Sequence, residues 1–531
     1  MNIGISFKKL PPIYITLTVV FIIFIMVLPF LYLFLRVSEA NLQVLNVFFT
    51  MNYVYIILRS VLLMILVSLI TLFIALPLAW INVRAALPMP NVWAVLLSLP
   101  LVIPTYVGAF LYSSILGPRG ILQELLESIF GIKEIPDIHG LFGATLVLSL
   151  LSFPYLFLIL KSSITNLDST LIESSRLLGH SKIKTFFKIS LPQLRPSIIA
   201  GTLFVSLYTL SDFGAVSLMR YNTLTWAIYQ QYQSIIDRSI ISLISLALVL
   251  IAVLIIFIES KFRNKSKYYK IGTGTSPRNK KTDLGVWSIP VLFIFGLIVF
   301  LSLILPLSGL FFWLIRGVSA GEPLVFIWEL IYNSLFLSIA TSLATVFLSM
   351  CMAIFLVRYN LIINKYLEII SLVGYVLPGV VIAISLVYFG INFVGFIYQT
   401  KLLLIIACII LAFPVALGNS KAVLLQINPE IEDSAKILSK NFLSVIIYVL
   451  IPMMKSGLIM SFALVFLLTM KELPATLILG PLGFQTLATS IWSSASEAYF
   501  ARAAAPALSI IFLSLLPLIL LMKSEDRPGI L

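Results

Sequence analysis

Two acids stand where acids are rare. Asp212 and Glu472 each lie at the end of a long apolar stretch, within Ser211-Asp212-Phe213-Gly214-Ala215-Val216 and Lys471-Glu472-Leu473-Pro474-Ala475-Thr476. An ionisable group at such a place in a membrane protein is costly and marks a functional candidate. Carboxylate and phenolate oxygens suit a hard cation, and Tyr208 and Tyr221 lie close in sequence to Asp212. The four residues therefore read as a candidate pathway or gate. Two alternatives stay open: each acid pairs with a neighbour such as Lys471 or Arg220, or each caps a helix end. Other chemistry is sparse. The only histidines, His139 and His180, lie far apart, and the only cysteines, Cys351 and Cys408, sit inside apolar runs. They build neither a disulfide framework nor a zinc site. No phosphate-binding Gly-x4-Gly-Lys-Ser/Thr sequence occurs, so the chain is expected to hydrolyse no ATP itself. No catalytic residue and no bound cofactor is expected in it.

The elements that must position these residues are membrane helices. Hydrophobic residues make up 60% of the chain and charged residues 11%, far from the balance of a soluble domain. Tyr14 to Leu35 carries no charge, and roughly 20 such residues span the hydrocarbon. A β-barrel shows short alternating segments instead. The expected fold is all-α, with about 12 transmembrane helices near 13–36, 55–80, 92–117, 141–161, 195–217, 239–259, 287–315, 331–356, 366–390, 401–420, 456–478 and 502–522. The first reads as a retained span: its apolar run is long for a signal peptide and no small-residue cleavage site follows. With both termini cytoplasmic, 25 of the 35 Lys and Arg fall on that side, as the positive-inside rule asks. The net charge of +14 is thus an effect of topology, and no nucleic-acid partner is expected.

The basic stretch Lys261 to Asp283, with Gly272, Gly274, Ser276 and Pro277, reads as a solvated linker. The sequence on its two sides matches. A shift of 274 places Ser60 on Ser334, Arg84 on Arg358 and Pro104 on Pro378. A shift of 260 places Phe153-Pro154 on Phe413-Pro414, Ser174 on Ser434, Pro192 on Pro452 and Asp212 on Glu472. The 14-residue difference fits a longer outer loop in the first half, around Pro118 to His139. The expected organisation is one half over 1–260, a linker over 261–286 and a second half over 287–531, as two parallel repeats with a pathway between them.

Two long inner loops, Lys161 to Arg195 and Lys421 to Lys455, sit between the fourth and fifth span of each half. The first carries Glu173-Ser174-Ser175, Gly179, Ile189, Leu191 and Pro192; the second carries Asp433-Ser434-Ala435, Ser439, Val449, Ile451 and Pro452 at the same spacing. Leu171, Ile172, Ser175, Leu178 and Gly179 fit one face of a short helix closed by a tight turn that glycine permits. Pro192 fits a helix start. The loops resemble the Glu-Ala-Ala-x3-Gly-x9-Ile-x-Leu-Pro loop of binding-protein-dependent ABC importer permeases. Asp433 and Ser439 depart from its Glu and Gly. The segments around Asp212 and Glu472 are similar to those of fused iron(III) importer permeases of bacteria.

That resemblance implies a type I ABC importer permease fold in the bacterial inner membrane. It implies two copies of a separate ATPase subunit, which hold ATP and Mg and dock on the coupling loops. It implies an extracytoplasmic iron(III)-binding protein on the outer side, where Arg220 to Asp237 and Pro481 to Tyr499 are candidate docking segments. Tyr221, Trp226, Tyr229, Tyr232 and Trp492 are the candidate contacts there, or interfacial anchors. A fused permease for thiamine or another small substrate has the same architecture. A secondary transporter also has parallel six-helix halves, but the two long inner loops speak against it.

Overall fold

A computed structural model of the chain describes residues 11–525, apart from 264–280 and breaks at 40, 42–43, 45, 47, 119, 133, 168, 235–237, 323–326, 360 and 439–441. Most of the expected linker therefore lies outside the described residues. At its far end the Thr282 N–H donates to the Arg84 carbonyl (2.8 Å) and the Thr282 carbonyl accepts from Ala86 (2.9 Å). This forms one isolated bridge in a structure whose described elements are otherwise helical.

Among the described residues nine helices are long and apolar enough to cross a membrane: Ile13–Ser38, Met51–Arg84, Leu141–Thr165, Ser239–Ile258, Gly285–Ser319, Ile327–Arg358, Lys401–Gln426, Leu443–Met470 and Phe500–Leu520. The expected spans 92–117 and 366–390 are each broken. Pro90–Val102 meets Thr105–Phe130 at 93°, and Asn364–Val376 meets Gly379–Asn392 at 108°, which raises the count to as many as eleven. The remaining stretch, 195–217, is helical over Leu191–Ser211. Gln193, Arg195 and several hydroxyl residues make it less apolar than the others.

Proline explains both breaks. Pro104 and Pro378 cannot donate to a helix and push the preceding residue toward extended backbone. Ile103 (ψ 117°) and Leu377 (ψ 122°) take that conformation, and a new helix starts after each proline. Elsewhere proline is absorbed. Pro192, Pro306 and Pro452 follow the π-helical turns Phe186–Ser190, Phe300–Ile304 and Ile446–Leu450. The residue four before each proline lies in the wider turn, which leaves room for its carbonyl beside the ring.

The first span of each half crosses to the other half. Ile13–Ser38 packs against Ile327–Arg358 and Gly379–Asn392, while Leu305–Ser319 packs against Thr105–Leu116. The Tyr32 ring lies tilted 5.3 Å from that of Tyr388, and the Arg36 guanidinium lies 4.7 Å over the same Tyr388 ring. The Trp313 indole donates to Ser114 Oγ at 3.1 Å, and the Tyr112 hydroxyl donates to the Leu301 carbonyl. Ser114 and Tyr388 are equivalent at the 274 shift, so corresponding positions receive the crossing helices.

The other residues held in register do matching jobs. Ser60 accepts from the Leu224 N–H (2.9 Å) and Ser334 from the Leu487 N–H (2.8 Å), each at the start of a helix after the fifth span. Arg84 donates to the Ile164 carbonyl (3.3 Å), and Arg358 to those of Leu424 (3.2 Å) and Ile427 (3.1 Å). Each arginine thus ties the end of the second span to the end of the fourth, where the segments 161–195 and 421–455 begin.

Candidate functional site

The helix Leu191–Ser211 ends at Asp212, and the short helix Gly214–Leu218 follows. The Asp212 side chain caps that short helix. Its Oδ1 accepts from the Ala215 and Val216 N–H groups at 2.9 and 3.3 Å. Its Oδ2 accepts from the Thr105 hydroxyl at 2.6 Å, and Thr225 donates to its main-chain carbonyl at 2.6 Å. Asp212 is only 8% exposed, so these bonds replace the water that a buried carboxylate needs. Of the readings open from the sequence, helix capping is the one its contacts match.

Glu472 stands at the equivalent place before Pro474–Leu479. Its Oε1 accepts from the Ala475 N–H at 3.1 Å, and its main-chain carbonyl accepts from Thr476 at 3.0 Å. Its Oε2 accepts no hydrogen bond among the described residues. Lys471 does not pair with it. The Lys471 ammonium instead crosses to the other half and donates to the Leu101 carbonyl, in the turn before Pro104. Arg220 is exposed and in a left-handed conformation (φ 52°), with no ion pair to Asp212 among the described residues.

The two tyrosines separate. The Tyr208 ring packs 5.4 Å from Tyr155, near Asp212. The Tyr221 hydroxyl donates to the Arg59 carbonyl at 3.2 Å, so it serves the second span rather than the acid. Tyr106 was not singled out in the sequence. It is buried beside Thr105, and its hydroxyl has no hydrogen-bond partner among the described residues.

Of the aromatics expected on a docking surface, Tyr221 and Tyr229 are buried and Trp226, Tyr232 and Trp492 are half-buried. Phe213 lies 5.7 Å from Trp226, 4.8 Å from Tyr229 and 5.9 Å from Trp492, and the Trp492 indole donates to Ser217 at 3.2 Å. Burying these rings against one another outweighs leaving them in water. The cluster joins the two halves of the chain. Residues 235–237 of the first docking segment lie outside the described residues.

The segments 161–195 and 421–455, expected to couple to an ATPase, form the second candidate site. Glu173, Ser174 and Ser175 lie in the helix Ser169–Leu177. Gly179 follows with φ +82°. The His180 N–H bonds the Ser175 carbonyl (3.2 Å) and the Gly179 N–H bonds that of Arg176 (3.0 Å). This is a Schellman ending, which favours glycine at its left-handed position. Burial along the expected face is uneven. Ser175 is buried and bonds Thr185 (3.1 Å) and His180 (3.3 Å), whereas Leu171 and Leu178 are exposed. Leu177 (89% exposed), Leu178 (79%), Ile183 and Phe187 make an apolar surface with the exposed Lys182, Lys184 and Lys188 around it.

In the second loop Asp433, Ser434 and Ala435 lie in the helix Pro429–Leu438, and Ser434 Oγ donates to the Glu430 carbonyl at 2.8 Å. Ser439 lies outside the described residues. Ile431, Leu443, Ile447 and Tyr448 are exposed. Here the anchoring arginine gains a carboxylate: Arg358 meets Glu432 at 2.6 Å, with side chains 12% and 3% exposed. The equivalent of Glu432 in the first half is Ile172, so the repeat register gave no hint of this ion pair. Pro192 and Pro452 sit early in the helices Leu191–Ser211 and Ile451–Met470.

The two histidines have separate local partners. His139 Nε2 lies 2.8 Å from Ser113 Oγ, and His180 bonds Ser175. Hydrogen bonds from the His139 N–H and ring hold the nearby Asp137 carboxyl below the usual carboxylate range.

Comparison with known proteins places this arrangement. Residues 345–527, which include the second coupling loop and Glu472, match the family model described as binding-protein-dependent transport system inner membrane component. The chain is 33% identical over 519 residues to the Fe(3+)-transport system permease protein FbpB 2 of Haemophilus influenzae, covering 97% of this chain and 98% of that one. It is 23% identical over 405 residues to the ferric transport system permease protein FbpB of Actinobacillus pleuropneumoniae, covering 72% and 58% of the two chains. It is 33% identical over 161 residues to the molybdenum transport system permease protein ModB of Escherichia coli, covering 30% and 69%. With a relative matched along nearly the whole of both chains, and apolar helices throughout, this chain belongs to the binding-protein-dependent transport system inner membrane components: it is a multi-pass helical permease of the type I ABC importer fold.

Proposed function

We propose that the chain forms the translocation pathway for iron(III), delivered by an extracytoplasmic binding protein and driven by separate ATPase subunits. The observation that carries the substrate is the end-to-end likeness to an Fe(3+)-transport permease. The two coupling loops support two ATPase copies, one per half. An exposed apolar patch on a water-facing loop marks an interaction surface, and Leu177, Leu178, Ile183 and Phe187 supply one. ATP and Mg belong to those partners; this chain binds no cofactor of its own. The basic residues support cytoplasmic termini and a cytoplasmic linker, with the halves bounded as 1–260 and 287–531.

The mechanism is alternating access. ATP binding closes the ATPase pair, and the coupling helices follow. Arg84 and Arg358 tie the ends of their spans together near the start of each loop, so movement there passes to the transmembrane helices. The halves rock open beneath a docked binding protein, iron enters between them, and hydrolysis restores the inward-facing state. Of the two acids, Glu472 has the uncommitted oxygen and is the better ligand for a passing cation, while Asp212 holds its own short helix in place. Tyr208 borders the same region.

Uptake of radiolabelled iron(III) by iron-starved cells tests this reading. Deleting the gene should abolish ATP-dependent uptake and restoring it should recover it, in cells that lack any second iron system. Unchanged uptake would overturn the ferric substrate and leave the permease fold standing.

A further inference from the structure

The two acids are seated by different partners, and the difference is compensated. At the 274 shift Thr105 corresponds to Gly379, and at the 260 shift Asp212 corresponds to Glu472. In the first half a short acid meets a side chain: Asp212 Oδ2 accepts from Thr105 at 2.6 Å. In the second half the longer Glu472 accepts from no side chain among the described residues. A Cβ on Gly379 would lie 2.6 Å from Glu472 Oε1 and 3.2 Å from Pro474 Cγ. The extra methylene of Glu472 thus takes the room that Thr105 fills in the other half. The neighbouring positions trade size in the same way. A Cβ on Gly214 would lie 2.7 Å from Tyr106 Cβ, whereas the equivalents of Tyr106 and Gly214 are Val380 and Pro474.

The location gives these exchanges a consequence. Thr105 and Gly379 are the first residues after the proline breaks, at the head of Thr105–Leu116 and Gly379–Asn392. The acids join the fifth span to the short helices Gly214–Leu218 and Pro474–Leu479. In each half the acid region therefore fastens the second limb of the broken span to the short helix beyond the fifth span, and those two elements pack together in both halves.

We propose that Thr105 and Gly379 are matched positioning residues for transport, each sized to its half's acid so that the limb and the short helix move as one body. The pairs Thr105/Asp212 and Gly379/Glu472 are then exchangeable as units and not singly. The role in transport rests on the permease reading above; the size matching rests on geometry alone.

A four-way comparison in the assembled importer tests it: wild type, Gly379→Thr, Glu472→Asp, and both together. Iron(III) uptake and ATP hydrolysis by the reconstituted complex are both measured. Gly379→Thr should lower both maximal uptake and transport-coupled ATP hydrolysis about tenfold, with little change in KM. The double variant, which recreates the first half's pair, should recover ATP hydrolysis to within about twofold of wild type, while uptake stays lowered because the added threonine hydroxyl engages the carboxylate oxygen that Glu472 leaves free. Thr105→Gly with Asp212→Glu should show the same pattern in the other half. If Gly379→Thr fails to assemble with the ATPase, recovery of assembly in the double variant is read in the same way. Losses of ATP hydrolysis in the double variants equal to the product of the single losses would overturn the proposal. If the wild-type importer moves no iron, the ferric reading fails, and the four-way pattern in ATP hydrolysis still decides the matching.

Discussion

Asp212 accepts three side-chain hydrogen bonds and its equivalent Glu472 accepts one. A capping carboxylate can give way to its amide at modest cost, because the amide oxygen still accepts from the helix N–H groups and the Thr105 hydroxyl can turn to accept. Asp212→Asn should therefore leave iron uptake and ATPase association close to wild type. Glu472→Gln keeps length and shape but removes the charge at the free oxygen. It should slow uptake about tenfold, a loss of about 1.4 kcal/mol at the transport step, with ATPase association intact. Rates measured in cells expressing each variant separate the two roles. Equal losses would put both acids on the pathway, and normal uptake in the Asp212→Asn, Glu472→Gln double variant would remove both.

The proposed coupling helix Ser169–Leu177 depends on how it ends. Gly179 has φ +82°, and no atom of the described residues lies within 4 Å of where its Cβ would be. A substitution there meets open space but strains the backbone by about 1 kcal/mol. Gly179→Asp also sets a charge beside Leu177 and Leu178, which the apolar surface of a partner would have to desolvate. It should weaken ATPase association about tenfold while the permease still inserts, as read by co-purification from membranes. Association and transport both unchanged would remove this loop from the ATPase contact. The second loop is held differently. The buried Arg358–Glu432 pair fixes Pro429–Leu438 to the second span, in place of the apolar Ile172 of the first half.

On the scale of the whole molecule, the crossing first spans bind each half to the other, through Tyr32 on Tyr388 and Trp313 on Ser114. Relative motion of the halves must therefore occur with these contacts kept or exchanged as units. The placement of basic residues gives a direct topological expectation. A reporter fused at the C-terminus that fluoresces only in the cytoplasm should be bright, and one inserted in the loop between Ile121–Phe130 and Leu141–Thr165 should be dark. The reverse result would invert the chain in the membrane and with it the coupling-loop assignment.

Composition and order alone determined the class of this protein. Runs such as Tyr14 to Leu35 leave the backbone no partner in lipid except its own helix. Repeated Pro, Arg and Ser positions exposed the two halves because each residue type does a local job: Pro104 and Pro378 break a helix, Ser60 and Ser334 cap one, and Arg84 and Arg358 tie two together. The left-handed turn at Gly179 was legible for the same reason. What the tertiary structure alone decided are contacts between residues far apart in the chain whose types need not repeat. Apolar run length marks 92–117 and 366–390 as expected spans, and carries no information about a bend of 93° or 108° within them. Glu432 found Arg358 although its counterpart is Ile172. Lys471 reached the Leu101 carbonyl rather than the acid beside it. Thr105 and Gly379 mean nothing singly; only packing against Asp212 and Glu472 reveals that size lost at one position is regained at the other, because a close-packed interior conserves volume locally rather than residue identity.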